Sequence, residues 1–551
     1  MNVFVKLLIG FLLLFTPFAF AGTEPWAFTV IQGIICVAWI FVLYSRKTFY
    51  KTPLSKPIGY TMGILIIFAL LQALFPQTLL QSVPAWHPIT LMRLYTLEHT
   101  SLFVTWLALA ALIPQLYPSQ QEIKHLLEWA VVCALLVILV AIGFPKGEYI
   151  FRLAGVRGGI GPFLNRNHAS VFFSLNALIA LGLFFTKGLE SARRVISSRS
   201  RRNFILQQVC LATIFIALAV ATIMTRSRGG MLSLLIGLFS YSFLYFYAIP
   251  RQFKKRLKNI FLTLVVLILT TGWIATHTQD INAFSQRGTG SSEQTRRMLY
   301  ATAFNMLKDY PVWGIGIGAM PVALPAYMPY MLDSYVERLH NDWLEMLLGV
   351  GYLGACFVLF GLGWFCWRAL RLLKRLELRK QLLFISLLSV LVAMSVGSLV
   401  DFHFFIPANA LLFFMVLGIT AAPSYAAGHV HQIEVNGLIK FFIVSLLMLS
   451  LYIPTKKTLA WRLGIFGSGL KHEAKSACYA KALGLYPSPR YALRLAASYW
   501  NAALHASSPQ EQKNLIKKAH AITLMYLQLY PRDKELSYLY VRIQKKMGKQ
   551  I

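Results

Sequence analysis

Residues 204–224 read FILQQVCLATIFIALAVATIM, residues 225–229 are Thr225-Arg226-Ser227-Arg228-Gly229, and residues 230–249 read GMLSLLIGLFSYSFLYFYAI. At 1.5 Å of rise per residue, each apolar run is long enough to cross about 30 Å of hydrocarbon as a helix. A spanning barrel would instead show short alternating segments, and only helices and closed barrels satisfy their backbone within lipid. Two crossings joined by five residues form a helical hairpin whose tight turn carries two arginines.

The same pattern repeats along the 551 residues. Runs near 4–21, 26–44, 58–75, 96–114, 126–144, 169–186, 260–276, 343–367, 381–400, 404–421 and 437–454 join the first two, about thirteen candidate helices in all. A chain that is 57% hydrophobic, 13% charged and +0.59 in mean hydropathy has too little polar surface for a water-soluble globule of this size. The fold class expected is an all-α polytopic membrane protein of 12–13 transmembrane helices. The first run, with Lys6 and Ala19-Phe20-Ala21, reads as a retained helix, with a cleaved signal peptide as the alternative.

A net charge of +33 suggests nucleic acid at first sight, but most of it falls in short loops between apolar runs. With the N-terminus inside, the loops Arg46 to Lys56, Lys187 to Arg202, Arg251 to Lys258 and Arg368 to Lys380 become cytoplasmic and hold the densest basic clusters. Nucleic-acid binding is therefore not expected, and the charge records topology in a membrane. Five of six cysteines lie within apolar runs and Cys478 stands apart, so neither a disulfide framework nor a metal pattern emerges.

The same alternation places 145–168, the 225–229 turn, the loop 277–342 and everything beyond Pro454 outside. Within the long loop, Glu293 to Asp309 has Met298, Ala301, Phe304 and Leu307 on one stripe and is expected as an amphipathic helix ended by Tyr310-Pro311. Gly314, Gly316 and Gly318 follow without a preceding strand, which excludes a dinucleotide fingerprint and leaves close backbone packing. The chain divides into a membrane domain, 1–454, and a polar helical domain, 455–551. In the latter, Leu485-Tyr486-Pro487 is echoed by Leu529-Tyr530-Pro531, the mark of two degenerate tetratricopeptide-like repeats. This part holds 17 Lys/Arg against 4 Asp/Glu, a net of +13, and favours anionic lipid headgroups, an acidic glycan or an envelope protein as neighbour.

Four outward clusters can carry chemistry. His340, in Leu339-His340-Asn341-Asp342-Trp343-Leu344-Glu345, is suited to take a proton from a hydroxyl near neutral pH, with Asp342 or Glu345 to fix its tautomer. An interfacial His beside an Asn341 helix cap is the plainer reading. Arg226 and Arg228 oppose the usual loop bias, and a guanidinium fork suits phosphate oxygens, although snorkelling to headgroups would also place them there. Arg296 and Arg297 are adjacent on the amphipathic helix and face different ways, so one can meet a ligand while the other meets lipid or solvent. Asn165, Arg166 and Asn167 can bind sugar hydroxyls and phosphate, or cap the next helix. Glu98, His99, Asp401, His403, His429 and His431 complete the polar set and could form a transporter relay, though most lie at helix ends.

In this order, Asn165-Arg166-Asn167-His168, Ser227-Arg228-Gly229-Gly230, an arginine-bearing helix ending in Asp309-Tyr310-Pro311, and His340-Asn341-Asp342-Trp343-Leu344-Glu345 followed by Gly351-Tyr352-Leu353-Gly354, the chain resembles the O-antigen ligase and O-antigen polymerase (Wzy-type) superfamily. The resemblance covers roughly 20–425 and is sharpest over 225–355. It implies transfer of a glycan from undecaprenyl pyrophosphate to an acceptor hydroxyl, without ATP, metal or other cofactor. It further implies that Arg228 and one of Arg296 and Arg297 hold the pyrophosphate while His340 activates the acceptor. The resemblance allows lipid A-core, a growing glycan or a protein as acceptor, and the repeat-like tail departs from the minimal ligase layout. Outside this class, a polysaccharide or ion transporter and a non-catalytic assembly scaffold are the alternatives.

Overall fold

The computed structural model describes residues 2–77, 87–143, 159–192, 198–249, 289–329, 336–529 and 534–548. Among them are eighteen α-helices. The first eight are α1 (Asn2–Phe18), α2 (Pro25–Ser45), α3 (Ser55–Leu74), α4 (Arg93–Leu116), α5 (Gln120–Gly143), α6 (Arg166–Ala192), α7 (Ser198–Met224) and α8 (Arg228–Ala248). Then come α9 (Thr289–Asp309), α10 (Met320–Tyr327), α11 (Asp342–Arg375), α12 (Leu378–Gly397), α13 (Pro407–Thr420) and α14 (Gly437–Ser468). The last four are α15 (His472–Leu485), α16 (Pro489–Leu504), α17 (Pro509–Leu529) and α18 (Lys534–Gly548).

Ten of these helices are long and apolar enough to cross a membrane, and two shorter apolar helices stand at α1 and α13. Twelve of the thirteen apolar runs are thus helices, and the run at 260–276 lies outside the described residues. The chain is an all-α polytopic membrane protein. The helix expected at Glu293–Asp309 is α9, which begins at Thr289, but its buried face is Leu299, Ala303, Met306 and Leu307, while Ala301 and Phe304 of the expected stripe are exposed.

The bundle is organised around α6. Of its apolar window 94% is buried, against 22% for α7, so α6 is wrapped by protein while α7 keeps most of its surface for lipid. Close approach of α8 to α6 is possible because residue 230 is glycine: a Cβ there would fall 1.8 Å from Ser170 Oγ.

The loop after α9 folds into the bundle rather than over it. Ile315 N donates to Leu348 O at 3.0 Å, Gly316 N to Gly349 O at 3.2 Å, and Tyr352 N to Pro311 O at 2.8 Å. These bonds meet α11 where it is broken, at Gly351 with φ 63° and ψ −170°, a conformation open essentially to glycine alone. Gln72 of α3 satisfies the exposed backbone: its Nε2 donates to Trp313 O at 2.7 Å and Gly349 O at 2.8 Å, and its Oε1 accepts from Ile317 N at 3.2 Å. Irregular backbone inside a membrane bundle requires such internal partners. The glycine-spaced stretch is therefore a site of close backbone packing, as its spacing suggests.

Two ends of the bundle result. At one, β1 (Thr48–Lys51) pairs antiparallel with β2 (His431–Glu434), Thr48 opposite Glu434 and Lys51 opposite His431. At the other, the described parts of 159–168, 225–229 and 289–342 gather with the segment 398–406. The boundary at 454 falls within a continuous helix, since α14 runs through Pro454 to Ser468. Beyond it α15 to α18 pack in succession, with Ala496, Trp500, Ala519 and Ile543 in a core of their own.

Candidate active site

The start of α11 fixes the centre of the site. Asn341 is its N-cap, with Oδ1 accepting from Leu344 N at 3.0 Å. Glu345, one turn in, reaches back so that Oε2 accepts from Leu339 N at 3.1 Å and Oε1 accepts from Arg338 Nη1 at 2.6 Å. Asp342 ties the helix start to the segment after α12: its N donates to Ser398 O at 2.9 Å and its Oδ2 accepts from Phe404 N at 2.9 Å. The capping reading of Asn341 and the proximity of an acidic pair are both present, and His340 sits between the fixed residues.

His340 has φ 57°, a left-handed conformation that costs a non-glycine residue roughly 1–3 kcal/mol. Its surroundings hold it there. His340 O accepts from the Tyr300 hydroxyl at 3.0 Å, and its ring meets Phe402 edge-on with centroids 5.1 Å apart. His340 Nδ1 donates to Asp401 Oδ1 at 2.9 Å. An ionised carboxylate only accepts, so this bond puts the ring proton on Nδ1 and leaves the Nε2 lone pair free. The His340 side chain is 35% exposed and that of Asp401 is 2% exposed, so the ring faces out from a buried carboxylate.

The tautomer partner is thus Asp401 and not Asp342 or Glu345, whose carboxylates are taken by the Phe404 and Leu339 backbones and by Arg338. Asp401 is itself held. Oδ1 also accepts from Phe402 N at 3.0 Å, and Oδ2 accepts from Asn167 Nδ2 at 2.8 Å. Burial opposes its charge, but the His340 bond and the neighbouring imidazoles outweigh burial and hold the carboxyl below the usual carboxylate range. Burial likewise pushes His403 down to about 4, with the Asp401 charge working against it.

The other sequence candidates assemble on the same end. Asn165 Oδ1 accepts from Asn167 N at 2.9 Å and starts α6, so this Asn pair both begins a helix and aims Asn167 at Asp401. Arg166 is exposed beside them. Ser227 caps α8, accepting from Gly230 N, and Arg228 projects from the first turn as an exposed residue without a hydrogen bond or ion pair among the described residues. A Cβ on Gly229 would lie 3.3 Å from Val400, the residue before Asp401, which brings the Arg228 turn against the Asp401 segment. Arg296 is half-buried and stands one turn before Tyr300, whose phenol burial raises and the Arg296 charge draws back. Arg297 is exposed. Arg296 therefore shares the face that meets His340.

Asp401 and His403 carried a signal in the sequence, polar residues at a predicted helix end, but it pointed to a relay. Arg338 and Tyr300 went unmarked. Arg338 packs its guanidinium 3.6 Å from the centroid of the Phe405 ring.

One end of the polytopic membrane bundle thus presents an oriented imidazole together with the exposed Arg228 and the half-buried Arg296. Residues 213–359 match the family described as O-antigen ligase, a span holding Arg228, Arg296, Arg297 and His340. The matched part of the chain is similar to an O-antigen ligase domain, the family its motifs resemble, and this similarity supports a glycan-transfer role in polysaccharide assembly. No curated protein matches the chain.

Proposed function

We propose that the protein transfers a glycan from undecaprenyl pyrophosphate to an acceptor hydroxyl at the periplasmic face of the inner membrane, without metal or ATP. The observation that carries this reading is the His340–Asp401 pair, which leaves Nε2 available at the end of the bundle that also holds Arg228 and Arg296. In the transfer, Nε2 takes the proton of the acceptor hydroxyl as its oxygen attacks the anomeric carbon. The bond from that carbon to undecaprenyl pyrophosphate breaks, and the leaving group departs with the electron pair. Arg228 and Arg296 bind its oxygens and stabilise the growing charge, the task that fixed cations at a partly dry interface perform best. Asp401 stabilises the imidazolium that forms, and Asn167 keeps Asp401 aimed.

Arg166 and the Asn165 backbone border the space where the acceptor sugar would lie, and Arg297 meets headgroups. The four helices α15 to α18 serve as two degenerate tetratricopeptide-like units, and their basic surface faces an anionic glycan, lipid or envelope protein. The carboxylates that suggested a transport relay are engaged elsewhere: Glu98 is paired with Lys457 at 2.5 Å, and Asp401 with His340.

The test is transfer by the purified protein from an undecaprenyl pyrophosphate-linked glycan, with excess chelator and no ATP, to lipid A-core, glycan and protein acceptors. Transfer by wild type and its loss in His340→Ala are expected. Transfer that His340→Ala retains, or that chelation abolishes, would overturn the mechanism.

A further inference from the structure

Arg338 has no part in the proposed transfer, yet among the described residues of the His340 loop it is the most heavily engaged side chain. It donates to Glu345 Oε1 at 2.6 Å and to His99 Nε2 at 3.3 Å, and it lies flat on Phe405. Phe405 belongs to the segment that carries Asp401, and Glu345 also holds Leu339 N. One guanidinium thus touches both strands of chain that must register for His340 to meet Asp401.

Its third partner, His99, is held from the other side. His99 Nδ1 donates to Tyr95 O at 2.8 Å, and the Tyr95 ring stacks on Tyr486 at 6.3 Å. The adjacent Glu98 is clamped by Lys457 Nζ at 2.5 Å and by the Tyr486 hydroxyl at 2.5 Å. Lys457 stands in the part of α14 beyond Pro454, and Tyr486 ends α15. A second bridge runs from Arg490 of α16 directly to Glu337, the neighbour of Arg338.

We propose that Arg338 is the positioning residue for His340, and that the C-terminal helices, acting through Glu98 and His99, hold Arg338 and so form part of the transfer site. The proposal rests on the transferase reading above. A loop that must keep a left-handed histidine within bonding distance of Asp401 needs this many restraints, because a shift on the order of 1 Å at a general base can cost about 10²-fold in rate.

The experiment compares full-length wild type with Arg338→Gln, Glu98→Gln and Tyr486→Phe, the last removing a single hydroxyl. Two readouts are taken: kcat and donor KM for transfer, and the rate of carbethoxylation of His340 followed by mass spectrometry, with exposed His429 as internal reference. Expected are a kcat lowered about tenfold or more in Arg338→Gln, a smaller loss in the same direction in Tyr486→Phe, and a donor KM within about twofold of wild type. His340 labelling should rise several-fold relative to His429 in each variant. A kcat within twofold of wild type in Arg338→Gln, or a loss of kcat with unchanged His340 labelling, would overturn the proposal. If wild type transfers nothing, the transferase reading fails, while the labelling still decides whether this network holds His340.

Discussion

Asp401 meets His340 from 61 positions further along the chain, with both of its carboxylate oxygens facing donors: His340 Nδ1 and Phe402 N on Oδ1, Asn167 Nδ2 on Oδ2. An amide at residue 401 would have to set its NH2 against one of these donors whichever way it turned. Asp401→Asn should therefore lower kcat on the order of 10²-fold or more, with a much smaller change in donor KM, by losing the tautomer and the stabilisation of the imidazolium. Steady-state transfer kinetics check this, and a kcat near wild type would remove Asp401 from the mechanism.

The two adjacent loop arginines are expected to separate in the same assay. Arg296 is half-buried one turn before Tyr300 and its charge acts on that phenol, whereas Arg297 is exposed. Removing a charge-assisted phosphate contact costs about 1.5–3 kcal/mol, so Arg228→Ala and Arg296→Ala should each reduce kcat/KM for the donor by about 10- to 100-fold. Arg297→Ala should stay within a few-fold of wild type. Equal losses at 296 and 297 would refute the assignment.

A backbone prediction comes from the break in α11. A Cβ at residue 351 would fall 2.3 Å from Val312 O, and the residue holds φ 63°. Gly351→Ala should destabilise the protein by at least about 1–3 kcal/mol, since the neighbouring atoms are backbone and cannot swing aside. Thermal unfolding in detergent, compared with Gly363→Ala, where nothing lies within 4 Å of the new Cβ, measures the difference.

His403 offers a pH signature. Its folded value, pushed down to about 4 by burial, lies below the unfolded value of 6.5, so the unfolded chain takes up the proton first as pH falls. The contribution of His403 to stability should decline from about pH 6.5 to about pH 4 and then level. The Asp401 carboxyl, held low when folded, contributes stability above the unfolded carboxylate value and loses it only on further acidification. Melting temperatures from pH 7.5 to 4 should fall less steeply in His403→Gln than in wild type, and parallel curves would count against a neutral buried His403.

Hydropathy is a local property, and a crossing helix must satisfy it residue by residue. That is why twelve runs could be located from their composition, and why α9 and the glycine-spaced stretch were also legible. The site was legible in its charges and not in its pairings. Asp342 and Glu345 are His340's nearest acidic neighbours in sequence, but on the first turn of a helix their carboxylates go to backbone donors. The partner that remained comes from a turn between two other helices, and no periodicity encodes that approach. Arg338 lies among charged loop residues that resemble a solvated stretch until Phe405, Glu345 and His99 close around it.

The small sheet at the far end has a temporal meaning. Thr48 of β1 meets its partner strand only after a gap of 384 residues to Gln432, and α14, which follows β2, packs against α2. At about 5–20 residues per second of synthesis, the first helices wait some tens of seconds in the bilayer before the chain returns to them. The chain thus returns late to helices inserted early, and a nascent chain halted before residue 431 leaves α2 without the neighbour that α14 provides.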